Sequence, residues 1–231
     1  MILYIIYIFL SPFLWVFTII SSLFNKKIRT RLFYYRVLLT ESLQKIKSTN
    51  KKVILFHAAS NGELEQLKPI FRSIDKNEYF IFLTTSSPSS IDQISMDEVD
   101  AYCYQAFDFP WTVNNFFSGV KPEKYIITRH DIWPNHIMLS KKYCKNIFLI
   151  NANLPKSSKR LFPVINSLYK YLFSKFDTIY TVSEIMKKEL LKLVNANKVE
   201  IVCDTRFDQI NYRYLKNSKK FPSSFKKTKN I

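Results

Sequence analysis

From residue 51 onward the chain alternates between short apolar runs and longer segments with apolar residues at helical spacing. KVILF (52–56), YFIFLT (79–84), AYCYQA (101–106), KYIIT (124–128), NIFLI (146–150), DTIYTV (177–182) and KVEIV (198–202) read as strands. Between the first two, Leu64, Leu67, Ile70, Phe71 and Ile74 repeat at helical intervals, so a helix is predicted over 63–74. Further helices are predicted over 111–120, 132–142, 158–174 and 183–194, and TTSSPSSIDQ reads as a loop leading into a short helix. Apolar runs that do not alternate with polar residues belong to strands buried on both faces, which is the signature of a parallel sheet covered by helices. The expected fold class is therefore α/β, a doubly wound, Rossmann-like parallel sheet. Such sheets bind ligands beyond the carboxyl ends of their strands, so functional residues are expected just after each strand.

The first 24 residues follow a different pattern. MILYIIYIFLSPFLWVFTIISSLF carries no charge, and 19 of its residues are apolar. As a helix it would be roughly 36 Å long, enough to cross a hydrocarbon core. It has neither the basic start nor the small-residue cleavage site of a secretory signal. Lys26, Lys27, Arg29 and Arg31 follow at once, which would hold the C-terminal side in the cytoplasm. An interfacial helix kinked near Pro12 and a buried core helix are the alternatives. Phe33, Tyr34, Tyr35 and Leu38, beside Arg29, Arg31 and Arg36, are expected to continue along a membrane surface. The expected organisation is a membrane anchor helix (1–24), a basic membrane-proximal helix (25–50), an α/β domain (51–210) and a basic linker or tail (211–231).

Composition adds a charge asymmetry. The formal net charge is +17, with nine Lys/Arg against one acid over residues 25–52 and seven against none over 211–231. Such blocks attract anionic partners: a membrane face, a phosphorylated substrate or nucleic acid. No nucleic-acid recognition motif is present, and the charge flanks an apolar segment, so nucleic acid is disfavoured. Cys103, Cys144 and Cys203 form no metal-type pair and read as reduced thiols. His130 and His136, six residues apart, do not share a helical face, so no metal site is predicted. Walker, GxGxxG and GxSxG loops are also absent from the sequence.

The strand ends carry the candidate chemistry. HAASNGE follows the first strand. Gly62, one of two glycines in the chain, is expected to permit a positive φ or a close backbone approach. Glu63 would then open a helix, whose N-terminus favours an ionised carboxylate that could act as a general base. An ordinary acid in a first helical turn is the plainer alternative. In RHDIWPNH (129–136), Pro134 suits a first helical turn, Asp131 is expected to cap that helix, and Trp133 reads as core or a packing platform. NANLPKSSKR (151–160) offers amides, hydroxyls and cations suited to an anionic group, or else is a solvated loop.

Read together, HAASNGE, the Thr84-Thr85 pair, FDFP, WPN, NANLPKSSKR and the closing DTRFDQ resemble the 3-deoxy-D-manno-octulosonic acid (Kdo) transferases, whose signature is HAxSxGE. The resemblance extends over nearly the whole chain. It implies the N-terminal, acceptor-binding half of a GT-B glycosyltransferase that moves Kdo from CMP-Kdo to a lipid A precursor, without metal or cofactor, at the cytoplasmic face of the inner membrane. It implies Glu63 as general base, with Ser60, Asn61, Gly62, Thr84, Thr85, Asp131, Asn153, Lys156, Ser157 and Arg206 at the substrate. Arg129 stands where the family has a first acid, TTSSPSS lacks the family's Thr-Gly, and Asn153 replaces an arginine. Full members are nearly twice as long. The donor-binding half is therefore expected elsewhere, in a separate polypeptide or a broken gene, and this chain is expected to be inactive alone. A membrane-anchored, non-catalytic module that binds an anionic lipid or saccharide is the alternative.

Overall fold

The computed structural model describes residues 2–218; residues 219–231, most of the expected basic tail, lie outside the described residues. Two long helices, α1 (Ile2–Phe24) and α2 (Lys26–Lys47), precede an alternation of strands and helices. The strands are β1 (Lys52–Ala58), β2 (Tyr79–Thr85), β3 (Ala101–Tyr104), β4 (Lys124–Thr128), β5 (Asn146–Ala152), β6 (Thr178–Thr181) and β7 (Val199–Ile201). The helices between and after them are α3 (Asn61–Ser73), α4 (Pro88–Ile91), α5 (Pro110–Val120), α6 (Pro134–Tyr143), α7 (Pro163–Phe173), α8 (Glu184–Leu190) and α9 (Thr205–Ser218). Residues 211–218, expected as linker, continue α9.

All seven strands pair in parallel, in the order β3-β2-β1-β4-β5-β6-β7. Successive residues of β1 explain its unbroken apolarity. Val53 and Leu55 join the core on one face with Phe82, Phe116 and Ile127, while Ile54 and Phe56 join the core on the other with Leu64, Leu67 and Phe71. A period of two with both faces covered buries each of these four positions in an apolar layer. The connections leave β1 and β4 in opposite directions along the sheet, which opens a crevice at their carboxyl ends.

Helix α2 does not run free along a membrane. Tyr35, Leu38, Leu39, Leu43 and Ile46 pack on the core, and only part of the expected surface run, Phe33 and Tyr34, is exposed. Its polar residues cover the sheet edge. Arg31, Ser42 and Lys45 donate to the carbonyls of Gln105, Tyr102 and Asp100 on and beside β3, removing acceptors that an open edge would offer another chain. Gly119 of α5 is explained here: a Cβ at that position would lie 3.2 Å from the Leu43 side chain.

Helix α1 is long and apolar enough to cross a bilayer, yet one stripe of it is bound to the domain. Tyr4 donates to Asn135 Oδ1 (3.0 Å), Tyr7 donates to Asp108 Oδ2 (2.9 Å), and Trp15 packs edge-on against Phe109. Ser11, between them, is the helix's one buried residue. These positions recur every three or four residues, so they lie along one face. Ile2, Phe9, Phe13, Phe17 and Phe24 stay exposed. The helix is therefore not the core helix weighed from sequence.

Candidate active site

Backbone chemistry at the carboxyl end of β1 positions the first carboxylate. Ser60 caps α3 through its carbonyl, which accepts from Glu63 N and Leu64 N, while its side chain makes no capping bond. Glu63, in the first turn, reaches back instead: its Oε2 accepts from Ala59 N at 2.7 Å. This bond resembles that of a capping box but reaches one residue further back, past the cap residue Ser60. Glu63 is only 4% exposed, and burial raises its pKa above the ordinary carboxylate value against the opposing pull of the Ala59 N–H. Among the described residues Oε1 accepts no hydrogen bond, and it is not sealed from solvent.

Gly62 departs from expectation. Its φ is not positive, and a Cβ built there would meet nothing within 4 Å. No turn in the protein requires the glycine, so a tight turn is not what presents Glu63. The space it faces is open and adjoins Glu63. Gly62→Ala is expected to raise stability by up to about 1 kcal/mol, since Ala loses less conformational entropy in a helix. Thermal denaturation would check this; a fall in melting temperature would show a hidden strain at the position.

The second strand end lies beside the first because β4 is the neighbour of β1. Asp131, after β4, accepts at Oδ2 from His57 Nε2 (2.7 Å) and at Oδ1 from Trp133 Nε1 (2.9 Å). The other ring nitrogen of His57 meets Thr84 Oγ1 at 3.0 Å, and Thr84 Oγ1 also donates to the Phe56 carbonyl. An ionised Asp131 can only accept, so Nε2 of His57 carries the proton. Burial alone would raise the Asp131 pKa, but the bonds from His57 and Trp133 outweigh it and hold Asp131 below the usual range. Asp131 is thus not the helix cap expected from sequence. Trp133 occupies the cap position by backbone, is exposed rather than core, and is tied to Asp131.

Asp108 performs the capping instead. Its Oδ1 accepts from His136 N (2.9 Å) and its Oδ2 from Asn135 N (3.1 Å) and Tyr7. One buried carboxylate therefore joins α1, the FDFP turn and α6. Burial pushes its pKa up to about 6, and burial pushes His136 down to about 4 while its Nε2 pairs with the Ala106 carbonyl.

A cleft of about 310 Å³ opens here, lined by Ala59, Ser86, Asp131 and Trp133 on the sheet side, Leu14 and Thr18 of α1, and Arg31 of α2. Glu63 stands just behind its Ala59 wall. Of the other residues expected at a substrate, Asn61 and Gly62 are exposed at the start of α3, while Thr84 and Thr85 are buried at the end of β2. Lys156 and Ser157 are exposed in the loop after β5, and the buried Asn153 Oδ1 has no partner. Arg206 pairs with Asp204 at 2.7 Å on α9. None of these eight lines the cleft. Sequence reading did not single out His57, Arg31, Gln105 or Asp108. His57 heads the HAASNGE motif and Asp108 lies in FDFP, so a signal for both was present. The others depend on which segments pack together. Among the described residues no group of three or more His, Cys, Asp and Glu could hold a metal ion.

Residues 26–209 match a family model described as 3-deoxy-D-manno-octulosonic-acid transferase. The chain is 31% identical over 139 residues to a probable mitochondrial 3-deoxy-D-manno-octulosonic acid transferase of Arabidopsis thaliana, covering 58% of this chain and 31% of that one. It is 28% identical over 131 residues to the 3-deoxy-D-manno-octulosonic acid transferase of Aquifex aeolicus, covering 56% and 33%. The chain spans about a third of the length of the curated relatives it matches. Among solved structures, a UDP-N-acetylglucosamine 2-epimerase from Rickettsia bellii superposes with a TM-score of 0.55 at 13% identity, over 74% of this chain and 50% of that one. At that identity the likeness shows the fold alone.

Proposed function

The chain belongs to the 3-deoxy-D-manno-octulosonic acid (Kdo) transferase family, and from that premise we propose that it supplies the acceptor half of an enzyme moving Kdo from CMP-Kdo to a hydroxyl of a lipid A precursor. The observation that carries this reading is the composition of the cleft. One wall is an apolar helix with an exposed outer face, and the other carries Asp131, with His57 buried beneath it and Glu63 behind Ala59. An amphipathic acceptor fits such a cleft, with its acyl chains along α1 and its sugar toward the strand ends. The stripe Tyr4, Tyr7, Ser11 and Trp15 binds α1 to the domain, which favours a helix lying in the bilayer interface over one surrounded by lipid.

In this reading Glu63 holds its place through Oε2 and takes the acceptor hydroxyl's proton on Oε1. The acceptor oxygen forms a bond to the anomeric carbon of Kdo as the bond to the CMP phosphate oxygen breaks, and CMP leaves with that electron pair. A carboxylate raised toward the working pH is the better base. Asp131 is fully engaged and fixes His57 instead. CMP-Kdo would be held by further polypeptide, continuous with this chain or separate. The alternative, a non-catalytic lipid- or saccharide-binding module, is favoured by one observation: Glu63 serves as a helix cap behind the cleft wall.

The test is transfer of labelled Kdo from CMP-Kdo to a lipid A precursor in membranes that hold this chain and a donor-binding half. Labelled lipid is expected. No label, with the donor half shown to bind CMP-Kdo, would leave the non-catalytic module.

A further inference from the structure

Arg31 carries more donors than its part in covering the sheet edge uses. It enters from α2, and its Nη2 donates to the Gln105 carbonyl at 3.2 Å. Its guanidinium lies 4.4 Å from the centroid of the Phe107 ring. Its Nε is sealed from solvent without a partner. Among the described residues it forms no ion pair; the carboxylate that attracts it, Asp131, lines the same cleft without bonding to it. A guanidinium carries five donors and stays protonated in proteins, so burying it beside so few acceptors is unfavourable unless an anion completes it. A second donor on the same cleft is also unused: Gln105 Nε2 is buried and makes no hydrogen bond.

A second cleft, of about 250 Å³, adjoins the first and shares Arg31, Ala59 and Ser86 with it. It adds Asn25, Lys27 and Ser87, and no carboxylate lines it. Arg31 thus divides two compartments. One holds Asp131 and adjoins Glu63; the other is lined by cations, hydroxyls and amides.

Building on the acceptor reading above, we infer that the Arg31 compartment binds a phosphomonoester on the headgroup of the lipid acceptor, with Arg31 as its bidentate partner and Lys27 beside it. Planar guanidinium donors match the oxygens of a phosphate two at a time. With the phosphate held there, the sugar ring lies across the shared wall at Ala59 and Ser86, and a hydroxyl is directed toward Asp131 and Glu63. Arg31 is therefore a binding residue that sets which hydroxyl reaches the base.

The experiment is flotation of the full chain with phosphatidylcholine vesicles that contain diphosphorylated lipid A, its dephosphorylated form, or neither. Wild type should prefer the phosphorylated vesicles. In Arg31→Met, which removes the charge and retains most of the length, that preference should fall about tenfold or more, the loss of one charge-assisted hydrogen bond. Its melting temperature should change little, because a partly buried charge is removed along with its single bond to the Gln105 carbonyl. Arg31→Lys keeps the charge without the fork, should lie between the two, and serves if the Met variant does not fold. An undiminished preference in a folded variant overturns the site. So does a melting shift by inorganic phosphate that depends on Arg31 while the phosphorylated vesicles bind no better than the others, because the ligand would then be free phosphate. Kdo transfer measured on the same preparations separates this inference from its premise: transfer that persists while the preference is insensitive to Arg31 rejects only the anion site.

Discussion

Glu63→Gln is expected to lower Kdo transfer by about 10²–10⁴-fold, the usual contribution of a general base, with the fold intact. The substitution retains volume, and the amide oxygen can still accept from Ala59 N, so the start of α3 remains capped. What is lost is the ability to take a proton. The effect should fall on kcat, with the acceptor KM little changed, because the ground-state hydroxyl can still hydrogen-bond to an amide. The pH profile gives a second readout. Burial raises the Glu63 pKa above the ordinary carboxylate value, so wild-type activity should fall on the acid side at a higher pH than a free carboxylate would give, and the variant should lack that limb. Activity within a few-fold of wild type would reject Glu63 as the base. Asp131 would not inherit the role easily, because both its oxygens are bound and its pKa is held low.

Asp108→Ala should produce the largest loss of stability, about 3–5 kcal/mol, measured by urea denaturation of the detergent-solubilised chain. The carboxylate accepts from Asn135 N, His136 N and Tyr7, and its removal strands the two backbone donors in a buried place, while Tyr7 keeps the Asp108 carbonyl as acceptor. Each stranded donor costs about 1–3 kcal/mol, and domains are typically stable by only 5–15 kcal/mol. A loss below about 1 kcal/mol would show that water or rearrangement satisfies those groups. Asp108→Asn isolates the charge. The folded pKa of about 6 lies above the ordinary 3.8. Between those values the folded chain holds a proton that the unfolded chain has released, so this group's contribution to stability falls as pH rises. The full fall is about 3 kcal/mol, at 1.36 kcal/mol per pH unit. Asparagine cannot titrate, so the stability of Asp108→Asn relative to wild type should rise by about that amount from pH 4 to pH 7. The buried His136, with its pKa lowered to about 4, works in the opposite direction over much of this window, but it is present in both proteins and cancels. A flat difference would show that Asp108 titrates normally.

The strands were legible because both faces of this sheet are covered. KYIIT coincides with β4, and the other apolar runs differ from their strands only at the ends. Hydrogen-bond reach explains most of what was not. Asp131 was expected to cap the helix that follows it, a local role that short polar side chains often take. The cap came from Asp108 instead, 27 residues before the Asn135 N–H that it accepts, because the FDFP turn and α6 are brought together by packing. Asp131 was then left to face His57 across the β1–β4 boundary. The two glycines show the same division. A Cβ at Gly119 would come within 3.2 Å of a Leu43 side chain 76 residues away in sequence, while one at Gly62 would meet nothing within 4 Å.

By itself the sequence determined the elements, their parallel pairing, the apolar N-terminal helix and the family motifs. Each of these rests on the periodicity or spacing of neighbouring residues. Only the tertiary structure decided that α1 is bound along a tyrosine and serine stripe, that α2 seals the edge of the sheet, and that Arg31 enters the cleft beside Asp131 without forming an ion pair. Those outcomes depend on which face of one element meets another, and a one-dimensional pattern of apolar and polar positions carries no record of that meeting.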